Sequence, residues 1–292
     1  MPHAQVYKCR TPSDRYLQSI TSRFIILADL RQGWCGTSVK RALQDLAEGN
    51  TNSRAGTTIG MSRTDNYTCF TQGNSEPIWW KPPQTAGSSD PHSINVGLGT
   101  IIPRWEVSDR STTLRYFVQA DTFPSIQDVQ DVATAFQEAA DEWNCLGLGV
   151  TFTPAPKDEN FHFKVIYEVN DASDPDEATR YAEAFFPHQC SRDVLVTNYA
   201  LSTLSRPILR NVFLHEIGHI LGLRHEFAVA EEGCGAVRFM EDNPESVMAY
   251  TAKPTIQNTD IVGVRAFYKK PNGDMSLGSA IVDFRPQVRQ KS

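Results

Sequence analysis

A chain of 292 residues, 40% hydrophobic and 10% aromatic, can bury the core of one large domain or two smaller ones. Its net charge of −6, with no long Lys/Arg run and only a short basic end at Arg285, Arg289 and Lys291, argues against nucleic acid as a partner. No apolar run approaches the roughly 18 residues of a membrane helix, and the best candidate, residues 24–30, is interrupted by Asp29.

Residues 1–16 lack the charged-then-apolar plan of a secretory signal. Six cysteines (Cys9, Cys35, Cys69, Cys145, Cys190 and Cys234) form no CxxC pair, which disfavours a zinc ribbon. The even count permits three disulfides, and reduced buried thiols are equally open. With the sequon Asn66-Tyr67-Thr68, it makes a secreted protein the expectation.

In chain order, the first predicted element is a short helix over 37–50, stopped at Gly49. Residues 81–103 are rich in Pro, Gly and Ser without periodicity, so they read as a linker or exposed loop after an N-terminal segment, 1–80. A strand is predicted over 113–118. A helix then starts with Ser125 as N-cap and Asp128 at the capping-box position. Ile126, Val129, Val132, Ala133, Phe136, Ala140 and Trp143 give it one buried stripe. Strands are predicted over 150–153, 161–168, 182–187 and 194–197. A second helix opens around residues 205–207, where Pro207 is tolerated in the first turn, and is apolar through Val212, Phe213, Ile217, Ile220 and Leu221. A third opens at Thr259 or Asp260 and runs to Tyr268. The order of these elements is an α+β pattern.

The second helix carries HEIGHILGLRHE, residues 215–226, with three of the chain's seven histidines. His215 and His219 are four residues apart and share one helix face, so both imidazoles can reach one cation. Glu216 points to the side, where a carboxylate can take a proton from water. Gly222 can stop the helix and turn the chain sharply, bringing His225 back as a third ligand. Three protein ligands with one open position is the arrangement of a catalytic zinc; a structural zinc would normally have four. His162 and His188 lie in or beside strands and read as structural or exposed.

His-Glu-x-x-His-x-x-Gly-x-x-His, residues 215–225, resembles the signature of the metzincins, a clan of zinc endopeptidases, with astacin-like and serralysin-like members the nearest. Residues 246–250, Ser-Val-Met-Ala-Tyr, resemble the metzincin Met-turn, which implies Met248 beneath the metal. Tyr250 matches the tyrosine that ligates zinc in resting astacins and serralysins and then stabilises the tetrahedral intermediate; a buried tyrosine bonded to backbone is the alternative. Glu226 also follows the third histidine in astacins, where it helps anchor the mature N-terminus. Ala249 stands where astacins commonly carry His. Residues 181–187 resemble the edge strand along which a peptide substrate lies, implying Ala182, Glu183, Ala184, Phe185 and Phe186 as the substrate strand.

The resemblance covers residues 104–270, leaving 271–292 as a tail. It implies a zincin-like catalytic domain with a mixed, mostly parallel five-stranded twisted sheet, a long first helix, an active-site helix and a C-terminal helix. It also implies one catalytic Zn²⁺, a protein or peptide substrate and a monomer, and leaves the N-terminal segment open between a propeptide and an accessory region. Cys35 and Cys69 are there, but neither sits in a recognisable switch motif. The activity implied is zinc-dependent endopeptidase, with a catalytically silent binding protein and a zinc hydrolase of a non-protein substrate as rivals. Retention of Glu216 disfavours the first rival.

Overall fold

Alternating buried residues set the main sheet. Strands β3 (Thr112–Val118), β4 (Val150–Pro154), β5 (Phe163–Glu168) and β7 (Asp193–Thr197) run parallel, and the two-residue β6 (Ala182–Glu183) closes one edge antiparallel to β7, in the order β4-β3-β5-β7-β6. Register places Leu114 opposite Phe152, Tyr116 opposite Phe163 and Val165 opposite Val194. All six are buried, and each inward Phe contributes roughly 1.5–3 kcal/mol by leaving water. This computed structural model describes residues 93–107, 111–156, 159–189, 193–232, 235–240 and 242–290. The predicted helix over 37–50, the first three cysteines and the sequon lie outside them.

Parallel neighbours need a long crossover, and helix α1 (Ile126–Asn144) is the crossover between β3 and β4. The Ser125 hydroxyl accepts from Asp128 N at 3.1 Å and donates to the Asp128 carboxylate at 2.6 Å. Val132, Ala135, Phe136, Ala139, Ala140 and Trp143 form its buried stripe, while Ile126 is 52% exposed because the first turn overhangs the core. Cys145, the C-cap, is disulfide-bonded.

A 3₁₀ turn, Arg206–Ile208, leads into α3 (Leu209–Ile220), which is buried on almost every side. Phe136 of α1 meets Phe213 of α3 edge-on at 5.1 Å, and Trp143 Nε1 donates to Leu214 O at 2.9 Å. Carbonyls left over at a helix C-terminus need outside donors. Trp105 Nε1 supplies one to Ile220 O (2.6 Å) and Tyr268 Oη one to Leu221 O (3.0 Å). The remaining helices are the single turn α2 (Pro175–Ala178) and α4 (Asn258–Lys269), whose N-cap is Gln257.

Two expectations are corrected. The stretch read as linker carries β1 (Ser93–Val96) and β2 (Ile101–Trp105). β1 is the centre of an antiparallel sheet between β8 (Leu223–Arg224) and β9 (Val237–Met240), and β2 pairs in parallel with β10 (Ala280–Phe284) from the expected tail. Between them lies a tight turn in which Leu98 and Ile101 exchange backbone hydrogen bonds of 2.8 and 3.2 Å. The tail is tied further by Arg104 to Asp283 (2.8 Å) and Arg289 to Asp193 (2.6 Å). The strand predicted over 182–187 stops at Glu183. Phe185 and Phe186 are both buried, which breaks strand alternation, and Gln189 Oε1 takes the Phe186 N–H at 2.6 Å to close a turn around Pro187.

Candidate metal centre

The helical spacing puts the His215 and His219 rings edge to face, 4.9 Å between centroids. Gly222 then turns the chain with φ of 94°. A Cβ at that position would lie 2.4 Å from the Pro103 carbonyl oxygen, so a left-handed conformation and a backbone contact both require glycine. The turn feeds β8, whose pairing with β1 (Asn95 opposite Arg224) aims the next residue, His225, back at the helix. Asn95 Nδ2 fixes that residue by donating to His225 O (3.1 Å) and Glu226 O (2.5 Å). The His225 ring comes within 5.2 Å of His215 and 4.7 Å of His219, centroid to centroid.

The tautomers follow from the partners. His215 Nδ1 lies 2.9 Å from Val247 O and His219 Nδ1 lies 2.8 Å from Leu223 O. A carbonyl only accepts, so each Nδ1 carries the proton and each Nε2 carries the lone pair. His225 Nδ1 donates to the Glu232 carboxylate at 2.5 Å. Burial, reinforced by the His225 charge, holds the His215 and His219 pKa values well below the ordinary histidine range. Burial lowers that of His225 as well, against the opposing pull of Glu232. Neutral imidazoles are the metal-binding form. His219 Nε2 and His225 Nε2 are 3.2 Å apart, and one ring nitrogen from each of the three lies within 4.8 Å of the others. Lone pairs converging at that distance repel unless a cation sits among them. The donor set therefore fits a three-histidine zinc site.

Beneath the centre runs the turn 246–250. Met248 is fully buried, and a Cβ on Gly218 would meet its sulfur at 2.3 Å, so the small residue between the two helical histidines makes room for the methionine. The turn is anchored by Asp260 in the first turn of α4, which accepts from Ser246 Oγ (2.7 Å), Val247 N (2.9 Å) and Gln257 N (2.8 Å). Burial pushes the Asp260 carboxyl up to about 7, against these three donors. Glu226 takes the Asn243 N–H and donates its own N–H to Met248 O at 3.0 Å.

The structure gathers His215, His219, His225, Tyr250 and Met248 in one region. Tyr250 is half-buried, its ring 4.8 Å from His225 and 6.1 Å from His215. Glu216 is fully buried on α3, next to His215 in the chain. Ala182 and Glu183 form the sheet edge. Phe185 packs on Phe163 (5.4 Å) and Phe186 on the His219 ring (5.4 Å), so these two support the core and a ligand. His162 accepts from Arg115 N at 2.8 Å and His188 is exposed, both apart from the triad. Sequence reasoning missed Asn95, Phe227 and Glu232. Phe227 stacks on His225 (4.9 Å, 19° between planes). None of the three belongs to a local motif, although a carboxylate a few residues past a third ligand is a signal worth scanning for.

A mixed α/β fold with a mostly parallel five-stranded sheet carries a buried triad of histidines that could hold a metal ion. Residues 106–243 match the family described as dual-action HEIGH metallo-peptidase, whose five letters are residues 215–219 of this chain. Among solved structures, metalloproteinase-II from Bacteroides fragilis is similar at 12% identity and a TM-score of 0.29, over 63% of this chain and 60% of that one. This chain therefore spans about 60% of the length of that structure. No curated protein matches the chain. Among the described residues, no helix is long and apolar enough to cross a membrane.

Proposed function

We propose that the chain is a zinc-dependent endopeptidase with Glu216 as its general base, nearest in kind to the astacins and serralysins. The observation that carries this reading is the convergence of three imidazoles whose Nδ1 protons are already committed to oxygen acceptors. When bound, zinc would act as a Lewis acid towards the scissile carbonyl and make water more acidic. Glu216 takes the proton of the attacking water and hands it to the leaving amine. Its full burial supports this role by giving a carboxylate few competing contacts with bulk water. Tyr250 donates its phenol proton to the developing oxyanion, and its ring contact with His225 supports that assignment. The substrate extends the main sheet along β6, a reading supported by the position of β6 as an antiparallel edge.

Secretion belongs to the same proposal and is supported by the disulfide at Cys145, since such bonds persist in oxidising compartments. So does latency imposed by residues 1–80. Cleavage of casein by the zinc-loaded chain, run beside Glu216→Ala, tests the core of the reading. The variant is expected to lose about 10²- to 10⁴-fold in rate while keeping its zinc. A variant that cuts as fast as the parent removes Glu216 from the mechanism. Cleavage that survives complete chelation removes the metal.

A further inference from the structure

Two of the three histidines lean on peptide carbonyls, and the third does not. His225 Nδ1 donates to Glu232 Oε1 at 2.5 Å, while Glu232 Oε2 takes Arg224 at 2.8 Å. Arg224 is itself nearly buried, and its other arm donates to Gly97 O at 3.1 Å. Glu232 ends a π-helical segment, Ala228–Glu232, that begins three residues after His225. A π segment adds a residue per turn and is costly in ordinary helices, so it is found mostly at functional sites. Here it brings a side chain seven positions downstream back onto the ligand.

We infer that Glu232 is a positioning residue for the metal, holding and tuning His225 through its Nδ1 proton. This rests on the triad binding metal, and it does not depend on proteolysis. The reasoning is electrostatic. A carboxylate accepting the Nδ1 proton fixes the tautomer and makes Nε2 a stronger donor. Its negative charge also partly offsets a dication. Arg224 anchors the second carboxylate oxygen while the first takes the His225 Nδ1 proton, so Glu232 acts through the ring and is not itself a ligand. His215 and His219 instead face neutral backbone carbonyls.

The test measures zinc affinity of the full chain by competition with a chromogenic chelator, for the parent and for Glu232→Gln, Glu232→Ala and Glu232→Asp. In parallel, the His225 Nδ1 proton is followed by NMR and the unfolding midpoint is recorded without metal. Gln is expected to weaken zinc about 10-fold and Ala about 100-fold, with Asp recovering most of the loss. The Nδ1 proton resonance should move upfield in Gln, and the midpoint shows how much of the affinity change accompanies a change in folding. If Ala does not fold, the isosteric Gln and the shorter Asp carry the comparison. Affinity within twofold of the parent, with an unmoved resonance, overturns the proposal. A parent chain that binds no zinc overturns it together with the metal centre. A parent that binds zinc but cuts nothing sinks only the peptidase reading, and the affinity series still decides the role of Glu232.

Discussion

His215 and His219 ride on a helix buried on nearly every side, whereas His225, Met248 and Tyr250 sit on short segments between residues 223 and 250. The helical half is held by apolar packing from α1 and the sheet, plus indole donors at Leu214 O and Ile220 O. The loop half is held by polar cross-links: Asn95 to the backbone at 225 and 226, Glu232 to Arg224 and His225, and Asp260 to the turn at 246–247. Apolar packing is tolerant of small rearrangements, while a buried polar contact fails abruptly when one partner goes. The same metal site should therefore respond differently to damage on its two sides.

The largest effect is expected where the halves join. Gly222→Ala forces a side chain into a left-handed conformation with a Cβ 2.4 Å from the Pro103 oxygen. The expected cost is about 2–4 kcal/mol in urea unfolding, since strain and overpacking add. Zinc affinity should fall with it, because the turn also carries Leu223 O, the partner of His219. Affinity that stays at the parent value would show that His225 finds its place without this turn.

A smaller and more selective effect is expected from Trp143→Phe. It removes the indole donor to Leu214 O, a carbonyl that still accepts within the helix, so the loss is that of one hydrogen bond, about 1 kcal/mol. The spacing of His215 and His219 is intrinsic to the helix, so zinc affinity in the folded protein should change by no more than about threefold. The contrast with Glu232→Gln, where affinity falls further, is the sharpest form of the comparison. If Trp143→Phe weakens zinc as much as stability, the helical half is not the rigid partner described.

The two halves also differ in how much the sequence reveals. A 3.6-residue period and a glycine at a fixed offset are local, so α1, α3, the ligand triad and the turn at Gly222 can all be read from the chain. The parallel strands were legible from alternation, within one or two residues at each end. The Met-turn was visible only by resemblance. What failed was nonlocal. β1 is four residues long and is stabilised by partners far along the chain, such as the contact of Asn95 with His225, 130 positions away. Nothing in SINV announces that. β10 looks like a tail until Arg104 supplies its partner for Asp283. Phe185 and Phe186 looked like strand residues because apolar runs do not reveal which face they bury.

Asp260→Asn should have the smallest effect at neutral pH and the most distinctive signature. The Asp260 carboxyl is fully buried and pushed up to about 7 from an ordinary 3.8, by burial first and by the charge of Glu226 last. Below 3.8 the group is protonated in both the folded and the unfolded chain. Between about 4 and 7 the unfolded chain gives up its proton while the folded chain keeps it, so the folded state binds more protons and stability falls as pH rises. The Asn variant has no proton to lose. Measured by urea unfolding at pH 4.5, 6 and 7.5, the parent should lose stability relative to the variant, on the order of 1 kcal/mol per pH unit, and level off above 7. The opposite slope would mean that the three donors from Ser246, Val247 and Gln257 outweigh burial, so that the loop half is anchored by an ionised carboxylate across the working range. A flat difference would mean that the group titrates alike in the folded and unfolded chain. In that flat case the anchor of the Met-turn would be independent of acid, and the helical and loop halves would share one pH response.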